Sequence, residues 1–552
     1  MKKLFYFVLL IIGIAACSKE DLTPYSQKLD ALNRTNDSLR REKERQDQKN
    51  LLLKQEGERI QRRLDSLANA STSPNLTELV AVEFSAAENP QLSEDLQCTI
   101  SYDGAVECWL PKMEVNKELI PRFSFKGTEV TINGETATSG EKKYDFTGPV
   151  SLTVKGSDRT VKYTIFVHSL TGLPVMYIDT DGGRKVDSRE NYVRAHMKFV
   201  EDVRTRGPGD VMEANLRIRG RGNSTWGQPK KPYRLQFDDK ISFFGEHKDK
   251  SWVLLANYCD KSMLRNDLAF YIGKTSRLNW TSSSHFVDLV LNGSYQGTYQ
   301  LAEKVEISKH RVDAGDDGFL VEVEARAADD SLGTWFYVPY IAYSIEIKEP
   351  DVAVNSPEYH YIRNYMIDAS EALFSPNFRD PDKGWQKYLD MESFVDWYLI
   401  HEIAKNEDSM FHFSTFMNLR RGGKLKMGPI WDFDIAFGNV KEKNTTAMLP
   451  EGLMLDWSYW YQRLMEDPVF VAKLKERYEY FYSHKQDYMY RVDTYAQYLK
   501  NSAYENQMKW RNLYHYTYKQ YDIWGAYQNE AQSLKDWLDR RMEWLKNQFA
   551  RM

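Results

Sequence analysis

The sequence predicts a multidomain α+β chain made of a charged N-terminal rod, a β-sandwich and a large mixed C-terminal region. Three observations predict it. The chain has 552 residues, which at ~150 residues per domain suits three to four units. Its patterning changes twice, from heptads to short alternating runs near residue 75, and then to mixed strand-like and helix-like segments after residue 171. Hydrophobic residues make up 42% and charged residues 28%, which excludes both a polytopic membrane protein and a wholly disordered chain. A net charge of -5, from 74 basic and 79 acidic side chains, gives no electrostatic ground for nucleic acid as the main partner. The four cysteines are too few for a disulfide scaffold or a cysteine-rich zinc module.

The N-terminus reads as an address. Lys2 and Lys3 precede an apolar run from Leu4 to Ile14, then Ala15, Ala16 and Cys17. The run has signal-peptide length and is short for a membrane span. Residues 1–16 resemble a lipoprotein signal peptide that ends before Cys17, whose acylation with two chains gives stable anchoring. Ser18-Lys19-Glu20-Asp21 resembles the acidic surface-export signal of outer-membrane lipoproteins in Bacteroides-like bacteria. The expected location is therefore the outer membrane, facing outward, with the periplasmic face as the alternative. Residues 17–74 form the anchor and stalk. From Lys28 to Asp65 there are 11 basic and 8 acidic residues, and 7 of the 12 a and d positions counted from Leu29 are apolar. That pattern predicts a coiled coil, with Asn36 and Asn50 at a positions favouring a homodimer; a single solvated helix is the alternative.

Residues 75–170 alternate as strands do, as in Val150-Ser151-Leu152-Thr153-Val154, with turn signals at Asp103-Gly104 and Asn133-Gly134. An Ig-like β-sandwich serving as a spacer is expected. Cys98 and Cys108 flank Asp103-Gly104 in a strand-turn-strand segment, so in an exported chain a disulfide across the hairpin is expected, against two buried thiols. Cys259 then lacks a partner and reads as a small buried hydrophobe.

Residues 171–552 carry the chemistry and a helical C-terminal extension. Gly220, Gly222 and Gly227 in Leu216-Arg-Ile-Arg-Gly-Arg-Gly-Asn-Ser-Thr-Trp-Gly227 let backbone amides approach a phosphate. Lys230 and Lys231 begin the next strand, where an ammonium reaches anionic oxygens or forms a solvated edge. Asp432 and Asp434, two apart in an expected extended segment, direct both carboxylates to one side among Ile430, Trp431, Phe433 and Ile435. Burying two like charges there requires compensation. A divalent cation is one solution; a capped turn, or pairing with Arg420 and Arg421, is the other. Asp408 follows an aromatic helix, and a hairpin at 416–427 separates it from Asp432. Phosphotransferases of the protein-kinase type share this order: a carboxylate after a helix, a hairpin, then a metal-binding aspartate. His401-Glu402 starts a zincin-like pattern, but Lys405 stands where a second histidine is needed. Asp432-Phe-Asp434 also suits the DxD pair of a metal-dependent sugar transferase, a competing enzyme class that the distant glycine-lysine hairpin argues against.

The stretches IRGRGNSTWGQPKKPYRLQF, DKSWVLLANYCDKSMLRNDLAF, LVLNGSYQGTYQLAEKVE and GPIWDFDIAFGN resemble, in order and spacing, the CotH family of atypical protein kinases. The resemblance implies a protein-kinase-like, two-lobed fold holding ATP with Mg²⁺ or Mn²⁺. By that resemblance Lys231, or its neighbour Lys230, contacts the phosphates beside Gly220 and Gly222. Asp408 takes the catalytic-loop position, Asp432 binds the metal with Asp434 in or near its shell, and Glu303 lies near the adenine strand. One departure stands out: no asparagine follows Asp408 until Asn418, with His412, Ser414 and Asn406 as candidate substitutes. The implied activity is transfer of the ATP γ-phosphate to Ser or Thr of an exported or surface protein. A catalytically silent kinase-fold scaffold or adhesin is the alternative.

Overall fold

The computed structural model describes residues 77–92, 95–100, 104–110, 116–169, 171–201, 211–330, 333–440, 446–514, 516–517 and 524–552. The expected signal peptide, Cys17 and the coiled-coil stalk lie outside the described residues. Contacts divide the chain into two units. Described residues of the first are 77–78, 125–129 and 154–161, with exposed ion pairs Lys126–Glu78 and Lys155–Glu129, each at 2.7 Å. The second holds residues 79–124, 130–153 and 162–552.

The β-rich segment forms a three-stranded and a six-stranded sheet and a two-stranded ladder among the described residues. Ala105–Trp109 pairs antiparallel with Thr99–Ile100 and parallel with the strand carrying Thr164 to His168. Cys98 and Cys108 are joined in a disulfide with Cα atoms 4.5 Å apart. Alternation sets the faces: Val150 and Leu152 are buried and Ser151 is exposed.

A closed barrel follows, seven-stranded among the described residues: β1 (Val175–Thr180), β2 (Val193–Val200), β3 (Val211–Gly220), β4 (Tyr233–Ile241), β5 (Asp249–Leu255), β6 (Ser284–Leu291) and β7 (Ser294–Glu303). The order is β1-β2-β3-β4-β5-β7-β6, closed by the parallel pair β6–β1. Period-2 alternation fills the interior with Leu216, Ile218, Leu235, Phe237, Trp252 and Leu254. The same alternation turns Arg219, Arg234 and Val253 outward in one row, since Arg219 lies opposite Arg234 and Arg234 opposite Val253.

Beyond β5, α1 (Arg265–Lys274) precedes β6, and a second sheet follows the barrel in sequence. It contains β8 (Phe319–Val323), β9 (Trp335–Phe336), β10 (Ile345–Glu349), β11 (Thr415–Leu419) and β12 (Lys426–Met427), in the order β9-β10-β8-β11-β12. Helices α2 (Pro357–Phe374) and α3 (Met391–Ala404) start at side-chain caps: Ser356 accepts from Tyr359 N, and Asp390 from Ser393 N. Helix α3 is buried from Ser393 to Ala404 and ends at Lys405 in the left-handed region, φ 48°. Among the described residues a short helix at Tyr459–Leu464 follows, and then α4 (Pro468–Ser483), α5 (Lys485–Tyr498), α6 (Lys500–Trp510) and α7 (Tyr527–Arg551). Ion pairs tie three of them inward: Arg477–Asp396 at 2.7 Å and Arg541–Glu402 at 2.7 Å, both buried, and Arg491–Asp267 at 2.8 Å, partly buried. No helix among the described residues is long and apolar enough to cross a membrane.

One local expectation is corrected. Residues 431–437 are not an extended strand but a series of turns, with Asp432 at φ 66° and Phe437 at φ 52°. Their backbone is held by side chains instead of a ladder. Phe433 N donates to Asn266 Oδ1 at 2.8 Å, Arg265 Nε to Ala436 O at 3.1 Å, and Asn439 Nδ2 to Asp434 O at 2.6 Å.

Candidate functional site

A cleft of about 920 Å³ opens between the β3–β4 hairpin, the sheet carrying β8 and β10, and the loops after α3 and β12. It gathers Gly220, Gly222, Lys230, Asp408, Asp432 and Asp434 from the residues singled out in the sequence. Gly220 closes β3, where an added Cβ would strike the Trp226 ring, and Gly222 turns the hairpin at φ 79°. Asp408 reaches the cleft because Lys405 ends α3 abruptly, and the chain crosses the cleft with Ser414 before entering β11. Asp432 and Asp434 reach it from the turn-rich loop after Gly428-Pro429.

The two lysines are placed differently. Lys230 borders the cleft but is 1% exposed, and its ammonium donates to Thr298 O and, at 2.8 Å, to Asn506 Oδ1. Burial lowers its pKa to about 7, with Asp288 pulling partly back. Lys231 does not line the cleft; its Nζ donates to Trp226 O at 2.7 Å. Glu303 ends β7 outside the cleft, where its Oε2 accepts from Ser283 N at 3.0 Å. Its neighbours Lys304 and Val305 do line the cleft. His412 stacks on Phe413 and Tyr343, with centroids 3.9 and 4.3 Å away, and is not a lining residue. Arg420 and Arg421 do not compensate the aspartates; they pair with Asp313 and Asp317.

Sequence reasoning missed the charged groups that dominate the walls. Arg219, Arg221 and Arg234 line the barrel side. Arg219 and Arg234 are directly cross-strand, and the Nε of each is buried without a hydrogen-bond partner. Like charges placed opposite one another are destabilising; Arg219 also donates through Nη1 to Arg189 O and lies over the Tyr192 ring. Arg221 lies over the Trp431 ring at 5.6 Å. Burial lowers its pKa, and the charges of Asp432 and Asp434 oppose that shift. On the sheet side Glu322 and Glu346 are cross-strand, with Lys348 at 3.3 and 3.0 Å. Burial pushes Glu322 up to about 7; Lys348 counters the shift, and Glu324 and Glu346 add to it. Val253, Leu255, Val305, Leu320 and Phe416 add an apolar part to the lining. A signal for the arginines existed, since they alternate with glycines at 219 and 221 and recur at 234 across a hairpin.

Among the described residues no three His, Cys, Asp or Glu side chains form a metal-holding cluster. The donors present nonetheless suit a hard cation. The carboxylates of Asp432 and Asp434 line the cleft on one loop. Asn406, whose Nδ2 donates to Asp432 O at 3.0 Å, keeps a buried amide oxygen with no hydrogen-bond partner. Magnesium is commonly held by one or two carboxylates together with substrate phosphates, so these residues fit it.

A family model described as CotH kinase protein matches residues 216–545. No curated protein matches the chain. Among solved structures, one described as a "putative glycoside hydrolase" from Bacteroides thetaiotaomicron is similar at 18% identity, covering 40% of this chain and 55% of that one, with a TM-score of 0.16. A DUF4623 family protein from Bacteroides eggerthii is similar at 10% identity, covering 34% of this chain and 58% of that one, with a TM-score of 0.13. The chain spans little more than half the length of either structure.

Proposed function

The chain belongs to the CotH kinase protein family, and from that premise we propose that it transfers the γ-phosphate of ATP to a Ser or Thr hydroxyl of an exported protein. One observation carries the reading. Asp408 and Asp432, on loops separated by the β11–β12 hairpin, open onto the same cleft as the glycine-rich hairpin with Arg219, Arg221 and Arg234. Val253, Leu255, Leu320 and Phe416 take the adenine. Arg219, Arg221 and Arg234 hold phosphate oxygens, and the role assigned to Lys231 from sequence passes to these guanidiniums. Asp432 and Asp434, with Asn406 Oδ1, hold the divalent cation, Mg²⁺ or Mn²⁺. When bound, the cation supplies charge neutralisation at the transferring phosphoryl group. Asp408 orients the acceptor hydroxyl and takes its proton. In this reading the barrel serves as one lobe, and the β8–β11 sheet with its helices as the other.

The first test is transfer from labelled ATP to a casein-like acceptor by the full chain, with Mg²⁺ or Mn²⁺. Metal-dependent labelling that Asp432→Ala abolishes is the expected result. No labelling, together with no calorimetric ATP binding, overturns the reading. A second reading, a kinase-fold scaffold or adhesin, has one observation in its favour: the ammonium groups of Lys230 and Lys231 are both held by protein oxygens. A scaffold predicts no ATP binding.

Export and anchoring through Cys17 at the outer membrane, the coiled-coil dimer and an Ig-like fold for residues 75–170 belong to the same proposal. They rest on the sequence patterns of residues 1–170. Loss of labelled palmitate in Cys17→Ser tests the anchor; labelling unchanged in the variant overturns it.

A further inference from the structure

Lys230 carries a buried amino group, 1% exposed, that the proposed chemistry does not use. Among the described residues no carboxylate pairs with it. Keeping an ammonium in such a place is costly unless its hydrogen bonds hold something in position. What they hold can be followed atom by atom. Lys230 lies 4.5 Å from the Tyr299 ring centroid, and Tyr299 OH donates to Lys231 O at 2.9 Å. The Lys231 ammonium donates in turn to Trp226 O, and the Trp226 ring fills the space beside Gly220. The hairpin 220–227 is thus pinned through consecutive lysines.

The other end of this chain of contacts is α6. Asn506 accepts from Lys230 Nζ, and its close approach depends on Gly297 of β7, where an added Cβ would collide with Asn506 and Trp510. The neighbouring residue, Glu505, faces the β-rich segment. Its carboxylate meets Lys117 at 3.0 Å and His168 at 3.2 Å, all three nearly buried. Two more contacts fasten the same helix to that segment: the ion pair Lys509–Glu107, and Tyr504 OH donating to Thr147 O.

We propose that Lys230 is a positioning residue and that α6 relays docking of the β-rich segment to the glycine-rich hairpin. The segment is then a working part of the site and not a spacer. The proposal rests on the reading of that hairpin as the phosphate-holding wall. Its test reads amide exchange instead of activity, so the two can fail separately.

Hairpin amides report directly, because Gly220 N donates to Ser188 O at 2.8 Å and Arg221 N to Pro232 O at 3.2 Å. Hydrogen–deuterium exchange of the full chain is compared for wild type, Lys230→Met, Asn506→Ala and the isosteric Glu505→Gln. The expected result is exchange at 219–228 about threefold or more faster in all three variants, with α3 unchanged, as local opening demands. Hairpin exchange at the wild-type rate in Lys230→Met and Asn506→Ala overturns the positioning role. A rise in those two but not in Glu505→Gln overturns the relay. Where Lys230→Met unfolds the chain, α3 exchanges with it, and Glu505→Gln decides.

Discussion

In the helical C-terminal region, Arg541 and Glu402 are both 0% exposed and meet at 2.7 Å. Every remaining polar atom of the pair is answered. Arg541 donates to the carbonyls of Glu402, Pro450 and Gly452, and the Glu402 carboxylate accepts from Met454 N and Leu455 N. On the barrel wall of the cleft, Arg219 and Arg234 face each other across two strands, each with an unsatisfied Nε. The same residue type is fully answered at 541, whereas at 219 and 234 one buried nitrogen of each is not, although Arg219 donates through Nη1 to Arg189 O. In the proposed reading, the partner missing at the cleft is an anion from outside.

Breaking the saturated side gives the largest effect. Arg541→Met leaves Glu402 buried with backbone donors but no countercharge, and is expected to cost about 3–5 kcal/mol in denaturant unfolding. Adding Glu402→Leu to that variant should restore part of the loss, because a well-packed apolar pair replaces a buried ion pair at little net cost. A single variant as stable as the wild type would break the contrast.

His401, one residue before Glu402, sharpens it. Both its ring nitrogens are buried without hydrogen-bond partners, and the ring stacks on Trp397 at 4.0 Å. Burial lowers its pKa from 6.5 to about 3. This region therefore handles charge either by pairing it or by keeping the group neutral. The sign follows from proton counts. Between about 6.5 and about 3 the unfolded chain binds a proton that the native chain does not, so stability falls as pH falls, by up to about 1.4 kcal/mol per pH unit. His401→Phe keeps the stacking and removes that contribution, so acid unfolding curves should be flatter in the variant across this window. An unchanged slope would show that the histidine is not neutral in the fold.

The two regions also differ in how far they can be read from sequence. Helix α3 was legible as an aromatic helix ending before Asp408, and the hairpin of β11 and β12 from Gly422-Gly423, because both depend on local patterning. The cleft's glycines and aspartates were legible as residue types in a known order. What was not legible depends on register. Arg219 and Arg234 become a pair only once β3 and β4 are aligned, and Arg420 and Arg421, nearer in sequence to the aspartates, turn to Asp313 and Asp317. The extended geometry expected at Asp432 fails because side chains of Arg265 and Asn266, more than 160 residues upstream, hold the loop in turns. The partners of Lys230 were hidden for the same reason, since Asn506 lies 276 residues downstream.

The finest test of the contrast is Arg234→Leu. Arg234 makes no ion pair among the described residues and stands opposite another cation, so its removal relieves like-charge repulsion worth roughly 0.2–1 kcal/mol. The apolar replacement also continues the outward row beside Val253. Unfolding stability should therefore stay level or rise slightly, where the same substitution type at Arg541 costs several kcal/mol. Calorimetric affinity for ATP with Mg²⁺ should instead fall about tenfold, which corresponds to ~1.4 kcal/mol. A variant that loses stability and keeps its nucleotide affinity would make Arg234 a structural residue like Arg541. A variant that keeps its stability and loses affinity assigns the unanswered guanidinium to the phosphates.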